Sequence, residues 1–209
     1  MTMPPESPVR VACIQMEPKV GSLEANIADS VARIDAAAAQ GARLMVLPEL
    51  TSSGYVFETR EEAFSLAEEI PHGPASKAWM AAAKRHGAWI VCVPTNWVPI
   101  PGQDPKQPAM ANVLAMGAAH VNSVFVAAAD RVGTERGQPF LGCSLICSYT
   151  GWPVAGPASR TEPETIVADL NLSEARRKRN WNDFNQILRD RRTDTYDTML
   201  GSGVKPGWY

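Results

Sequence analysis

At 209 residues the chain has the length of one ordinary domain, and 45 % hydrophobic against 20 % charged residues suits a globular core and excludes a disordered chain. A net charge of −2 gives nucleic acid or an anionic membrane no electrostatic reason to bind. No apolar run approaches the roughly 18 residues that span a bilayer, and the opening MTMPPESPVR has no basic region followed by an apolar one.

The expectation from these ends is a cytoplasmic protein. Its four cysteines, Cys13, Cys92, Cys143 and Cys147, are too sparse for a disulfide framework and sit mostly in apolar runs, as reduced thiols do. Cys143 and Cys147 are four apart with no His or second Cys pair nearby, so no metal site is expected. The whole chain, 1–209, reads as a single domain, with a flexible N-terminus over 1–8 and a charged tail over 180–209 that forms an interface.

Taken in order, Val9 to Met16 reads as a buried strand. Ser22 is placed to cap a helix from Leu23 to Gln40, with Ile27, Val31, Ile34 and Ala38 at helical spacing and Gly41 as its stop. Arg43 to Leu47 is a second strand, so the first fifty residues have the βαβ pattern of a layered α/β domain. Helices are expected over Arg60 to Glu69 and Ala75 to His86, the latter closed by Gly87. The apolar run at Trp89 is a third strand. A proline-rich loop from Pro94 to Pro108 follows, longer than an ordinary connection. Ala109 to His120 reads as helix, and Val121 to Ala129, Pro139 to Ser148 and Thr165 to Leu170 as strands. Thr150 to Pro153 is a turn, and Asn171 or Ser173 caps a basic stretch from Glu174 to Arg179. The run Arg189 to Arg192 lacks interleaved aromatics, so it reads as a solvated or interface face rather than a nucleic-acid groove.

Glu49 is the carboxylate best placed for chemistry. It follows four apolar residues and a proline at the C-terminal end of a buried parallel strand, the edge where α/β folds bind ligands. A partly desolvated carboxylate there is suited to general-base work; the plainer reading is a strand-end Glu that faces water or caps the next turn.

The segments VRVACIQMEPKVGSLEANI, GARLMVLPELTSSGY and PASKAWMAAAKRHGAWIV resemble the opening of the nitrilase, or carbon–nitrogen hydrolase, family. CVPTNWVP, ANVLAMGAAHVNSVFVAAADRVG and GWPVAGP resemble later parts of the same domain, so the likeness runs from about Val9 to Leu200. The resemblance implies an α-β-β-α sandwich, a Glu-Lys-Cys triad, a small amide or nitrile as substrate, homo-oligomers, and neither cofactor nor metal. In that chemistry a Cys thiolate attacks the carbonyl or nitrile carbon, the Glu shuttles the proton and the Lys stabilises developing charge.

Glu49 in LMVLPEL matches the family's first catalytic Glu, Tyr55 falls where a family Tyr approaches substrate, and Trp97 is a second substrate-contact candidate. The family's Lys and Cys segments have no counterpart. GAWIV, resembling the third strand, runs directly into CVPTNW, which in the family follows the nucleophile's helix. The expectation is therefore an incomplete sandwich with an internal deletion near Val91-Cys92, missing several central strands and a helix, less stable than a whole family member and prone to aggregate.

No substitute nucleophile is expected. Cys92 sits in mid-strand before Val93-Pro94, with no turn into a helix to supply oxyanion donors, and reads as structural. Cys147 in SLICSYTGWP superficially resembles the nucleophile motif, yet no Asp or Glu follows it directly and the chain turns into GWPVAGP rather than a helix. Lys77, Lys84, Lys106 and Lys178 lie outside the family context for the catalytic Lys, and His72, His86 and His120 are scattered. The chain as given is thus expected to be inactive, retaining Glu49 alone. The alternatives are a non-enzymatic binding or oligomerisation module and, more remotely, a thiol site built from Cys147 and Glu49.

Overall fold

The computed structural model describes residues 6–92, 95–104, 106–177, 182, 184–186 and 189–190. Lys178, most of the tail over 180–209 and the first five residues of the N-terminal segment lie outside them.

Strand β1 (Pro8–Gln15) is buried from Val11 onward and forms the centre of the first sheet. Helix α1 (Leu23–Ala39) returns the chain to β2 (Leu44–Leu47), which lies parallel to β1. Helices α2 (Arg60–Ser65) and α3 (Pro74–His86) lead to β3 (Trp89–Cys92), parallel to β2. Helix α4 (Met110–Asn122) precedes β4 (Val126–Ala128), a two-stranded hairpin of β5 (Thr134–Glu135) and β6 (Gln138–Pro139), then β7 (Leu145–Cys147) and β8 (Pro153–Ala155). The long β9 (Glu164–Asn171) pairs antiparallel along all of β1, and α5 (Ser173–Arg177) ends the sequence of elements.

Two sheets result, with strand orders β3-β2-β1-β9 and β4-β7-β8. Alternation along the strands sorts their side chains into three layers. Val11, Cys13, Val46, Ile166 and Ala168 of the first sheet meet Ile146 of the second, and Ala129 just after β4, in the core between the sheets. On the opposite faces, Ala12, Ile14, Met45 and Leu47 pack under Ile34, Ala37 and Ala82 of α1 and α3. Ala128, Leu145 and Cys147 pack under Ala115 and Ala119 of α4. This is the α-β-β-α sandwich.

Several elements depart from the sequence reading. Ser22 occupies the N-cap of α1 without a side-chain cap bond, and the buried stripe of α1 includes Asn26 and Ser30. Both are satisfied: Asn26 bridges Lys19 and Ser52, and the Ser30 hydroxyl accepts from Trp79 Nε1 at 2.8 Å. Helix α2 stops at Ser65 instead of Glu69, because Glu68 turns to accept Ala75 N at the start of α3.

The expected strand from Val121 is helix as far as Asn122. Ser123 at φ 49° closes α4, with Ser123 N on His120 O and Val124 N on Ala119 O, so only Val126–Ala128 extends. The apolar run Pro139 to Ser148 is not one strand. Gly142 and Cys143 both have positive φ and turn the backbone, leaving Leu145–Cys147 as β7. Ser7 N donates to Asn171 Oδ1, Leu172 N donates to Ser7 O, and Pro8 begins β1.

Candidate functional site

Strand β2 reads Leu-Met-Val-Leu without a polar break because it is flanked on both sides, by β1 and β3, and covered on both faces. Pro48 ends it, and Glu49 stands half-buried at its C-terminal end. The turn that follows is tightly held. Thr51 Oγ1 donates to Pro48 O at 2.6 Å, and Gly54 N donates to Leu50 O at 3.0 Å. Gly54 is required twice over: its φ is +80°, and a Cβ there would collide with the Val20 backbone.

Over this strand end lies the segment that follows β3. Glu49 N meets Thr95 O at 3.4 Å, and Asn96 Nδ2 donates to Glu49 O at 3.1 Å. Thr95 Oγ1 donates to Ala129 O, Trp97 N donates to Asp130 Oδ1 at 3.0 Å, and Leu141 N donates to Trp97 O at 2.9 Å. Thr95 to Trp97 therefore stitches the ends of β2 and β4 together. Among the described residues no hydrogen bond or ion pair reaches the Glu49 carboxylate itself.

Trp97 is half-buried and packs between Ala115 of α4 and Leu141. Tyr55, partly exposed, sets its ring edge-on to Phe140 with centroids 5.8 Å apart. Glu49, Tyr55 and Trp97 are thus linked through Asn96 and the Phe140-Leu141 backbone into one neighbourhood at one end of the sandwich. A groove lined by Arg10, Arg43 and Asp169 lies at the opposite end, beside the start of β1.

Sequence reasoning passed over the charged cluster beneath this neighbourhood. Arg131 is buried, its guanidinium 4.1 Å from the Phe140 ring centroid and paired to Glu135 at 3.2 Å. The Glu135 carboxylate also accepts Val20 N at 2.7 Å, Tyr55 N at 2.8 Å and Val56 N at 2.7 Å. Burial pushes the Glu135 carboxyl up, but the Val56 and Tyr55 amides and Arg131 outweigh it and hold the group below its ordinary value. Asp130 is fully buried and goes the other way: burial pushes it up to about 7, against the donors from Trp97 and Gly142 and the charge of Arg131. Its Oδ2, like Asn96 Oδ1, is buried without a hydrogen-bond partner. The signal was present in the ADRVGTERG run, where four charges directly follow an apolar strand.

Three of the four thiols are interior. Cys13 is buried on β1 between the sheets, and burial raises its pKa far above the ordinary thiol value. Cys143 is raised by burial as well. Cys147 has no exposed surface, and its thiol is pushed by burial up to about 11. At neutral pH that leaves on the order of one thiolate in ten thousand. Cys92 ends β3; its side chain lies outside the described residues. Lys77 and Lys84 are exposed on α3, and Lys106 is exposed in the loop. His86 pairs with Asp35 of α1 at 2.6 Å, and His120 Nδ1 lies 3.0 Å from Thr150 O. Among the described residues no group of His, Cys, Asp and Glu is placed to hold a metal ion, and no helix is long and apolar enough to cross a membrane.

The sequence model described as carbon-nitrogen hydrolase matches residues 10–106. A nitrilase from Pyrococcus abyssi is 31 % identical over 261 aligned positions, covering 90 % of this chain and 99 % of the relative. The chain belongs to the carbon–nitrogen hydrolase family. The fold agrees. An amidase from Nesterenkonia sp. superposes with a TM-score of 0.62 at 17 % identity, over 89 % of this chain and 94 % of the amidase. XC1258 from Xanthomonas campestris, a CN-hydrolase superfamily protein, gives 0.66 at 16 %, over 83 % and 94 %. The C. elegans NitFhit protein gives 0.70 at 14 %, over 91 % and 66 %. The alignment to the Pyrococcus nitrilase is longer than the chain's own 209 residues, so that relative has positions that this family member does not fill. Because 99 % of the relative is matched from end to end, those positions fall inside the match.

Proposed function

We propose that this chain is a non-hydrolytic member of the carbon–nitrogen hydrolase family, which keeps the sandwich and the general-base carboxylate Glu49 but has lost the segment bearing the nucleophile and the charge-stabilising lysine. The observation that carries the reading is the direct passage from β3 into Thr95-Asn96-Trp97, which closes over Glu49 with hydrogen bonds to its backbone. Between those two elements, where the family resemblance calls for two catalytic side chains, there are only Val93 and Pro94. The thiols elsewhere offer no substitute. A nucleophile must be ionised and reachable, and the Cys147 thiol is pushed to about 11 in a site with no exposed surface.

Amide hydrolysis by this family's route needs three events: thiolate attack, proton transfer to the leaving nitrogen, and stabilisation of the oxyanion. Glu49 can serve the second alone, and a positioned base without a nucleophile leaves most of the barrier in place. The remaining role is binding or assembly, with Tyr55 and Trp97 beside Glu49 able to contact a small amide, and with copies of the chain associating as homo-oligomers in the cytoplasm. A complex of a related amidase with acrylamide makes that compound a suitable probe.

The test combines thiol labelling by a mild electrophile with ammonia release from acrylamide and simple nitriles. Uniformly slow thiols and no turnover are expected. One rapidly labelled cysteine whose modification abolishes ammonia release would overturn the reading.

A further inference from the structure

The two sheets of this sandwich end unevenly, and on the same side. Contacts of β8 with β9 and of β4 with β1 fix the second sheet over the β9-β1 half of the first. The free edge of β4 therefore points toward the β2-β3 side: Val46 of β2 still packs in the core between the sheets, and β3 lies beyond its cover. The consequence is visible in side chains. By register, Trp89 pairs with Leu44 and Val91 with Val46, residues that face the core between the sheets. Yet Trp89 is 77 % exposed and Val91 40 %. Ile90, of opposite parity, packs with the helix-side core. Inter-sheet positions on β3 are thus bare, although the strand is built to be covered.

The edge is bare in its backbone as well. Trp89 N donates to Arg43 O at 2.8 Å, so in a parallel ladder Trp89 points its peptide groups at β2 and Ile90 points its own away. Among the described residues no strand pairs with that outer side. The residues Trp-Ile-Val-Cys carry none of the devices that protect an edge, neither charge nor proline nor bulge.

We propose that this open edge is a homodimer interface, in which β3 of one copy pairs antiparallel with β3 of a second copy about a two-fold axis at Ile90. The choice of occupant follows from self-complementarity. Outward N–H and C=O groups at Ile90 form a closed hydrogen-bonded pair with the same residue across a two-fold. The neighbouring non-hydrogen-bonded positions then set Trp89 of each copy opposite Val91 of the other, an aromatic against a β-branched side chain on the face that is bare in each. The same register keeps Pro94, which cannot join a ladder, beyond the paired stretch. Two four-stranded sheets become one continuous sheet. The inference rests on the fold and the β3 edge and is independent of whether the chain hydrolyses anything.

The test is oligomeric state by light scattering across a concentration series, for wild type and for Trp89→Lys/Val91→Lys. Both side chains are exposed in the single copy, so the double variant keeps the wild-type thermal midpoint within a few degrees. Wild type is expected at twice the chain mass in the tens of micromolar, and the variant at the single mass, with association weakened at least tenfold. Register is tested by Trp89→Cys/Val91→Cys under mild oxidation. Opposed non-hydrogen-bonded positions sit about 4.5 Å apart at Cα, within disulfide reach. A covalent dimer is expected from the double variant and not from either single one. A wild-type monomer at those concentrations, or a dimer that survives both lysines, would put another occupant or none on this edge and would overturn the proposal.

Discussion

Replacing Glu135 with alanine tests the buried cluster under the strand ends. The wild-type carboxylate meets three backbone amides at 2.7–2.8 Å and the Arg131 guanidinium at 3.2 Å, with side chains 4 % and 1 % exposed. Solvent screening is therefore negligible, and this pair cannot be discounted as a surface ion pair. Arg131 would keep its bond to Pro18 O and its place over Phe140, but its charge would lose its only carboxylate partner among the described residues. Removing one partner of a buried pair costs about 3–5 kcal/mol. In a domain of this size that lowers the thermal midpoint by roughly 6–20 °C. Glu135→Gln retains a neutral acceptor and should lose less than half as much. Glu58→Ala, at an exposed carboxylate 3.8 Å from Arg136, should stay within about 0.5 kcal/mol of wild type. Urea unfolding followed by circular dichroism gives all three values. A loss below about 1 kcal/mol for Glu135→Ala would refute the claim that this cluster fastens the Tyr55 turn to the hairpin.

Asp130 yields a pH signature of the opposite sign to an ordinary ion pair. Its folded carboxyl titrates near 7, whereas the unfolded one titrates near 3.9. Between those values the folded state holds the extra proton, so stability falls as pH rises from about 4 to 7, by up to about 1.4 kcal/mol per unit from this group. Asp130→Asn should flatten that slope in urea titrations at several pH values, and an unchanged slope would contradict the assignment. Glu135, held below its ordinary value, contributes stability that is present above the unfolded carboxyl range and fades as pH drops below about 4. Gly54→Ala should fail to give soluble folded protein, or unfold at a much lower temperature, since a Cβ there meets Val20 backbone at a left-handed φ. Cys13 and Cys147 should react with a thiol reagent at pH 7 only at the rate of global unfolding, read by mass spectrometry with and without urea.

The layered α/β architecture was legible because apolar periodicity carries it. The run at Val11 to Ile14, the LMVL strand and the alanine-rich helices each state their own burial. Boundaries failed where backbone geometry overrode side-chain pattern. Gly142-Cys143 turns inside an apolar run, and Ser123 ends a helix in the left-handed region, a conformation its side chain does not announce. The position of Glu49 at the C-terminal end of a buried strand was legible from the four apolar residues and the proline that precede it. The Arg131–Glu135 pair was not, because adjacent charges in a sequence read as surface until the fold shows three amides converging on one carboxylate. The uneven end of the two sheets was partly legible: the junction at Val91-Cys92 pointed to missing strands, but which face they would have covered needed the register of β3 on β2.

The central claim is that Glu49 stands in a family site without a nucleophile. The most direct measurement is ammonia release from acrylamide at high protein concentration, wild type against Glu49→Gln. The account predicts the same background rate for both, whereas turnover by wild type that vanishes in the variant would contradict it.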